Sequence, residues 1–200
     1  MEVKQRLTIF DFDGTLTTRD TLLEFIRFAC GRWAFVWGFL LHSPLLVLMK
    51  MHLYHNGKAK ERLFSYYFRG WAEERFNQIC QKFADSHRHL LRPSTVAILR
   101  QAQKDGSRVF IVTASIDRWV QPFFPDLEVI GTKIAVQENL LTGLFLTPNC
   151  YGQEKINRIS QVIESRSDFY VTAYGDSRGD RELLAWADEG ILVKSKIENQ

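Results

Sequence analysis

The stretch Ile9-Phe10-Asp11-Phe12-Asp13-Gly14-Thr15-Leu16-Thr17 constrains this chain more than any other. Leu7, Ile9, Phe10 and Phe12 form an apolar run that reads as a buried strand of a parallel sheet. Gly14 and the Thr-Leu-Thr after it end that strand and leave Asp11 and Asp13 at its carboxyl end. That end is where open α/β sheets bind ligands. If the strand stays extended, period-two geometry puts both aspartates on one face. Two acids so placed repel each other, and a hard, oxygen-seeking cation supplies the reason for keeping them together.

The rest of the chain reads as an interrupted α/β fold. From Asp20 to about Leu91 the pattern is helical, with Thr18 or Asp20 as the first cap and helical runs over 58–68 and 72–89. Pro93 marks the return. An insert of about 70 residues directly after the first strand makes a second, smaller domain. The expected division is a core of residues 1–17 and 91–200 around a helical domain of residues 18–90.

Within the insert, Trp33 to Met49 carries no charged residue. Arg27 and Arg32 precede it, and Lys50, His52 and His55 follow. Two readings stand. One is a pair of buried helices broken at Pro44. The other is a membrane-facing element, surface-lying or re-entrant, with tryptophans at the headgroup level.

The second half supplies further strand ends. Arg108–Thr113 is β-branched and apolar, with Thr113-Ala114-Ser115 at its end and a helix from about Ile116. A hydroxyl there serves either as a helix cap or as a phosphate donor. Leu127–Ile130 reads as a third strand, and 133–139 with 144–147 as a hairpin turning near Leu141-Thr142-Gly143. Lys155 opens a helix after Cys150-Tyr151-Gly152-Gln153-Glu154, as a surface lysine or as a site cation. Phe169–Gly175 is another strand, ending in Asp176-Ser177-Arg178-Gly179-Asp180. There two more acids repeat the arrangement of the first motif, unless Asp180 merely caps the next helix.

Together these segments resemble the haloacid dehalogenase (HAD) superfamily in its phosphatase form, over nearly the whole chain. Asp-Phe-Asp-Gly-Thr-Leu-Thr matches the first motif, Thr113 the second, Gly-x-Glu-Lys at 152–155 the third and Tyr-Gly-Asp-Ser-x-x-Asp at 174–180 the fourth. The resemblance implies a Rossmann-like core with a parallel sheet and a helical C1-type cap inserted after the first strand. It implies Asp11 as nucleophile, Asp13 as general acid/base, and Thr113 and Lys155 holding the phosphoryl group. A Mg²⁺ would be bound by Asp11, the backbone carbonyl of Asp13, and Asp176, with Asp180 as a further ligand or as an orienter. Gly14, Thr15, Asp20, Ala114 and Ser115 would surround the substrate and its phosphate. Asp20 stands where phosphoserine phosphatases of the IB group carry a substrate-binding Glu, and Ala114-Ser115 where they have Gly-Gly.

The apolar cap stretch and the forms of the third and fourth motifs resemble the branch that includes phosphatidylglycerophosphate phosphatase of the C type. That branch implies a lipid phosphate; a phosphoserine-like small molecule is the alternative. A dehalogenase lacks the second motif-one acid, a P-type ATPase reads Asp-Lys-Thr-Gly, and a scaffold would have lost a motif. A phosphotransferase, or a membrane-associated binding protein, stays open.

Composition agrees with an ordinary globular chain of 200 residues, 46% hydrophobic and 24% charged. A net charge of +3 gives no argument for nucleic acid. Three dispersed cysteines indicate neither a disulfide framework nor zinc. A strand within a few residues of Met1 leaves no room for a signal peptide. The expected location is cytoplasmic, with possible attachment to the inner face of a membrane.

Overall fold

The structure, a computed structural model, describes residues 4–50 and 56–193, with only the backbone described for 44–50. The flanking His52 and His55 and the polar tail beyond Val193 lie outside the described residues.

Five parallel strands make the central sheet. They are β1 (Gln5–Phe10), β2 (Arg108–Ile116), β3 (Glu128–Thr132), β6 (Phe169–Gly175) and β7 (Glu189–Leu192), in the order β3-β2-β1-β6-β7. The first strand in sequence is thus the central one, in keeping with its apolar second half: Leu7, Ile9 and Phe10 are fully buried. Leu7 pairs with Arg108 on one side and Val171 on the other. This register brings the carboxyl ends of β1, β2 and β6 to one rim.

Between β1 and β2 lie α1 (Thr21–Cys30), α2 (Arg32–Lys50), α3 (Asn56–Phe68), α4 (Glu73–Ser86) and α5 (Pro93–Lys104). The chain leaves and returns through a paired neck: Thr18 N–H donates to the Leu90 carbonyl, and Arg92 N–H to that of Leu16. Aromatic rings join the inserted helices to the sheet side. Phe25 of α1 packs on Phe68, Phe76 and Phe83, and stacks at 4.8 Å on Trp119 of α6 (Asp117–Val120). One hydrophobic cluster therefore runs from Phe10 and Phe12 through the helices.

Four expectations are corrected. First, β1 stops at Phe10, and Phe12–Leu16 coil into a single wide turn closed by Thr17 N–H on the Phe12 carbonyl at 2.9 Å. Asp11 and Asp13 therefore do not share a strand face. Second, β2 continues past Thr113 to Ile116, with a register shift against β3 between Val112 and Ile116, and the helix starts only at Asp117.

Third, the hairpin β4 (Ile134–Gln137) and β5 (Leu140–Phe145) turns at Glu138-Asn139. Both residues have positive φ, 51° and 61°, the two-residue turn whose twist suits a hairpin. Fourth, α2 is one unbroken helix. Proline cannot donate to the carbonyl four residues back. Here that Leu40 carbonyl instead accepts Ser43 Oγ at 2.8 Å. Among the described residues, no helix is long and apolar enough to cross a membrane.

Candidate active site

The rim gathers side chains from four separated segments. Asp11 leaves β1 with its N–H on the Tyr174 carbonyl at 2.9 Å, which fixes it between β1 and β6. Its Oδ1 accepts Lys155 Nζ at 2.5 Å, and Oδ2 has no donor among the described residues. Lys155, on α7 (Gln153–Ile159), is 1% exposed and so is no surface lysine. Its ammonium bridges Asp11 and Asp180 Oδ1, the latter at 2.6 Å. Burial works against that charge, but the two carboxylates outweigh it and hold the lysine pKa above its ordinary value.

Asp180 is the most fully bonded acid. Its Oδ2 accepts Asp176 N–H at 3.2 Å, Ser177 N–H at 3.0 Å and Ser177 Oγ at 2.9 Å. Burial alone would raise its pKa; Lys155 and the Ser177 donors bring it below the usual carboxylate value. Asp176 is the opposite case. Its Oδ1 is buried with no hydrogen-bond partner. Burial, reinforced by Asp180, lifts Asp176 to about 6. Burial likewise lifts Asp11 to about 7, with Lys155 opposing and Asp180 and Asp13 adding.

Carboxylate oxygens of Asp11, Asp176 and Asp180 lie within 4.8 Å of one another. With Asp13 the rim holds four acids, two of which, Asp11 and Asp180, are bonded to Lys155, and the Asp176 oxygen is orphaned. This donor set fits a hard divalent ion of the Mg²⁺ kind, which takes oxygen ligands. Gly14 makes room for the Asp176 carboxylate. Its φ is +78°, and a Cβ there would lie 2.2 Å from Asp176 Oδ2.

Asp13 turns the other way. Oδ1 accepts the N–H and Oγ1 of Thr21, at 2.7 and 2.6 Å, and Oδ2 accepts Ser115 Oγ. Its carboxylate thus lies between the start of α1 and β2 and stands outside the acidic trio. Burial, then Asp20, raises its pKa. Trp119 Nε1 donates to Thr21 Oγ1 at 3.3 Å and steadies this arm.

A cavity of about 430 Å³ joins these groups. Asp11, Asp13, Gly14, Thr113, Ala114, Lys155, Asp176 and Asp180 all line it. Thr113 Oγ1 accepts Ser115 N–H at 3.0 Å and donates to no described residue, so its hydroxyl proton is free for a ligand. Asp20 reaches the cavity too, but its Oδ1 caps α1 by accepting Leu22 N–H at 2.9 Å.

Two expected residues are placed elsewhere. Thr15 is fully buried and off the cavity wall, because the turn after Phe12 rotates it inward. Ser115 spends its hydroxyl on Asp13 and is a brace for that acid instead of a phosphate donor.

Other residues of the site escaped the sequence reading. Asn56 and Lys60, one helical turn apart on α3, line the cavity from the insert side with Arg19, and Tyr151, just before α7, lines it too. Their i,i+4 spacing was the available signal. Arg92, 6% exposed, donates to the Gly14 carbonyl at 3.0 Å across 78 positions of sequence. No local pattern could reveal that.

The chain matches the haloacid dehalogenase-like hydrolase family over residues 8–185. It is 36% identical to protein CicA of Caulobacter vibrioides over 191 residues, covering 92% of this chain and 83% of CicA. Among solved structures it is similar to a protein of unknown function from Bordetella pertussis Tohama I, with TM-score 0.80, 20% identity, and 92% and 87% of the two chains covered. It is also similar to a phospho-aspartyl intermediate analogue of phosphoserine phosphatase, with TM-score 0.59, 19% identity, and 96% and 87% covered. The sheet order, the rim chemistry and these matches agree, and the chain belongs to the haloacid dehalogenase-like hydrolases.

Proposed function

We propose that this hydrolase is a Mg²⁺-dependent phosphomonoester phosphatase that works through an aspartyl-phosphate on Asp11. The observation that carries the reading is Asp11 itself, held by Lys155 at one oxygen and open at the other, beside the orphaned oxygen of Asp176. In the first half-reaction Asp11 attacks phosphorus and the bond to the leaving oxygen breaks, while Asp13 gives that oxygen a proton. In the second, water attacks the same phosphorus, Asp13 takes its proton, and the Asp11 carboxylate is restored as inorganic phosphate leaves. Thr113 and Lys155 hold the phosphoryl oxygens.

Asp11 and Asp176, with the Asp13 carbonyl, would hold Mg²⁺, which when bound neutralises charge on the phosphoryl group. Asp180, its oxygens already engaged, orients Lys155 and the Asp176 loop. Residues 18–90 act as the cap that closes the cavity and supplies Asn56 and Lys60 to the leaving group.

The substrate reading that a specific feature favours is a lipid phosphate such as phosphatidylglycerophosphate. The helix α2, with its exposed aromatic face, comes just before the cavity-lining start of α3 in sequence. Release of phosphate from p-nitrophenyl phosphate with Mg²⁺, compared with Asp11→Asn, tests the chemistry. Absence of release from the wild type over a broad phosphoester panel overturns it. Within that panel, phosphatidylglycerophosphate against phosphoserine separates the two substrate classes, and transfer to an added alcohol in place of water would identify a phosphotransferase.

A further inference from the structure

The outer face of α2 inverts normal helix patterning. Trp33, Val36, Trp37, Leu40 and Leu41 recur at helical spacing and so form one stripe. In a globular protein such a stripe faces the core; here Trp33 is 75% exposed, Trp37 68%, Leu40 57% and Leu41 66%. The opposite side of α2 is the one packed on the protein. Tyr67 Oη donates to the Phe35 carbonyl at 3.0 Å, His42 meets Tyr66 ring to ring at 4.8 Å, and a Cβ on Gly38 would lie 2.1 Å from Tyr67 Oη. The stripe is thus apolar surface left over after the helix has found its place. Its size and continuity mark an interaction face rather than scattered exposure.

Charge identifies the occupant. From Phe25 to Lys60 the chain has no Asp or Glu, while Arg27, Arg32, Lys50, Lys58 and Lys60 are all cationic. Arg27, Arg32 and Lys58 are exposed. A partner protein core would not need this uniform sign, whereas a bilayer with anionic headgroups does. Tryptophans beside arginines suit the headgroup boundary, and the helix is not apolar enough to span. We propose that α2 lies flat on an anionic phospholipid bilayer through Trp33, Trp37, Leu40 and Leu41, with Arg27 and Arg32 at the headgroups. This deepens the lipid-phosphate reading above, because the same surface that would present the substrate holds the enzyme.

Flotation of the full chain with vesicles tests it, using phosphatidylcholine alone and with about 30 mol% phosphatidylglycerol, at low salt and at about 0.5 M. The wild type should float with the anionic vesicles and lose much of that binding in high salt. Trp33→Gln/Trp37→Gln should weaken partition by about a hundredfold, since each large aromatic withdrawn from the interface forfeits roughly a decade. Arg27→Gln/Arg32→Gln should weaken binding to anionic vesicles only.

A wild type that stays with the dense fraction in both lipids overturns the proposal. So does equal flotation of the tryptophan variant. A concentration-dependent dimer by sedimentation, abolished by Leu40→Glu and indifferent to lipid, overturns it in favour of a second copy. Hydrolysis of water-soluble p-nitrophenyl phosphate is measured on the same samples. Activity without flotation removes docking alone, and flotation without activity removes the phosphatase alone.

Discussion

At the carboxyl rim of the sheet, Asp11, Asp180 and Lys155 are packed almost out of reach of water, while along α2 two tryptophans and two leucines stand in it. Each region reverses the usual assignment of polar and apolar groups, and each does so in its own way. The rim draws on four segments spread over 170 positions, from Asp11 to Asp180, and Asp13, Lys155 and Asp180 are each held there by named partners. The α2 face is one continuous segment matched to nothing among the described residues. The contrast teaches where to look for the missing component. At the rim the proposed component is small and cationic, suited to the orphaned carboxylate oxygen of Asp176. At α2 it is broad, apolar and edged with negative charge.

If the rim is built for chemistry at the expense of stability, the largest effect falls on turnover alone. Asp11→Asn should lower phosphate release by about 10⁴-fold or more, as loss of a nucleophile does. Its thermal midpoint should equal or exceed that of the wild type, because one of four crowded acids has been neutralised. A variant that unfolds early would show Asp11 to be structural and would erase the contrast.

Lys155→Met should act on both properties. It strands Asp11 and Asp180 as buried acids without their cation, a change that costs about 3–5 kcal/mol when a buried pair is broken from one side. Urea denaturation would read that loss. Turnover at permissive temperature should drop about 10²–10³-fold, the range for removal of one charge-stabilising donor. A fully stable Lys155→Met would mean that the ammonium is dispensable to the rim.

The motifs that proved legible were local. Apolar runs ending in acids at 11–13 and 176–180 announce strand ends by their own composition, and strand ends of a parallel sheet must meet at one rim. What stayed hidden depends on partners far away or on backbone turns. Thr15 was misplaced because a single wide turn after Phe12 rotates the chain by an amount no period reveals. Ser115 was misread because its partner, Asp13, lies 102 positions earlier. Glycine is the common turn signal, and Gly143 does have a positive φ of 84°, but it lies within β5, and the two-residue turn is made by Glu138-Asn139. In β5 the missing side chain of Gly143 instead makes room for Ser65 of α3. Pro44 promised a break in α2, and Ser43 absorbed the carbonyl that the break would have freed.

Arg92 offers a finer division of the rim into chemistry and support. It touches no reacting atom; it holds the Gly14 carbonyl, and Gly14 is the surface on which Asp176 rests. Arg92→Ala should therefore weaken binding of Mn²⁺, followed by electron paramagnetic resonance without substrate, by about 10–100-fold, the usual scale for groups that orient metal ligands. Arg92→Lys, able to restore one hydrogen bond, should recover part of it. Equal Mn²⁺ affinity in all three proteins would leave Arg92 a purely structural residue.

The smallest effect sharpens the comparison most. Among the described side chains of α2, Trp33 and Trp37 are the most exposed large hydrophobics, so replacing both by glutamine removes little contact with the described residues. In lipid-free buffer the unfolding free energy of Trp33→Gln/Trp37→Gln should stay within about 0.5 kcal/mol of wild type, the range for surface positions. By contrast, Phe25→Ala, in the middle of α1, should cost about 3–5 kcal/mol, because its ring fills the junction of Phe68, Phe76, Phe83 and Trp119. Similar losses in the two variants would mean that α2 is held by its tryptophans within the fold. The face would then be a piece of core, and its kinship with the rim, as a surface shaped for something outside the chain, would end.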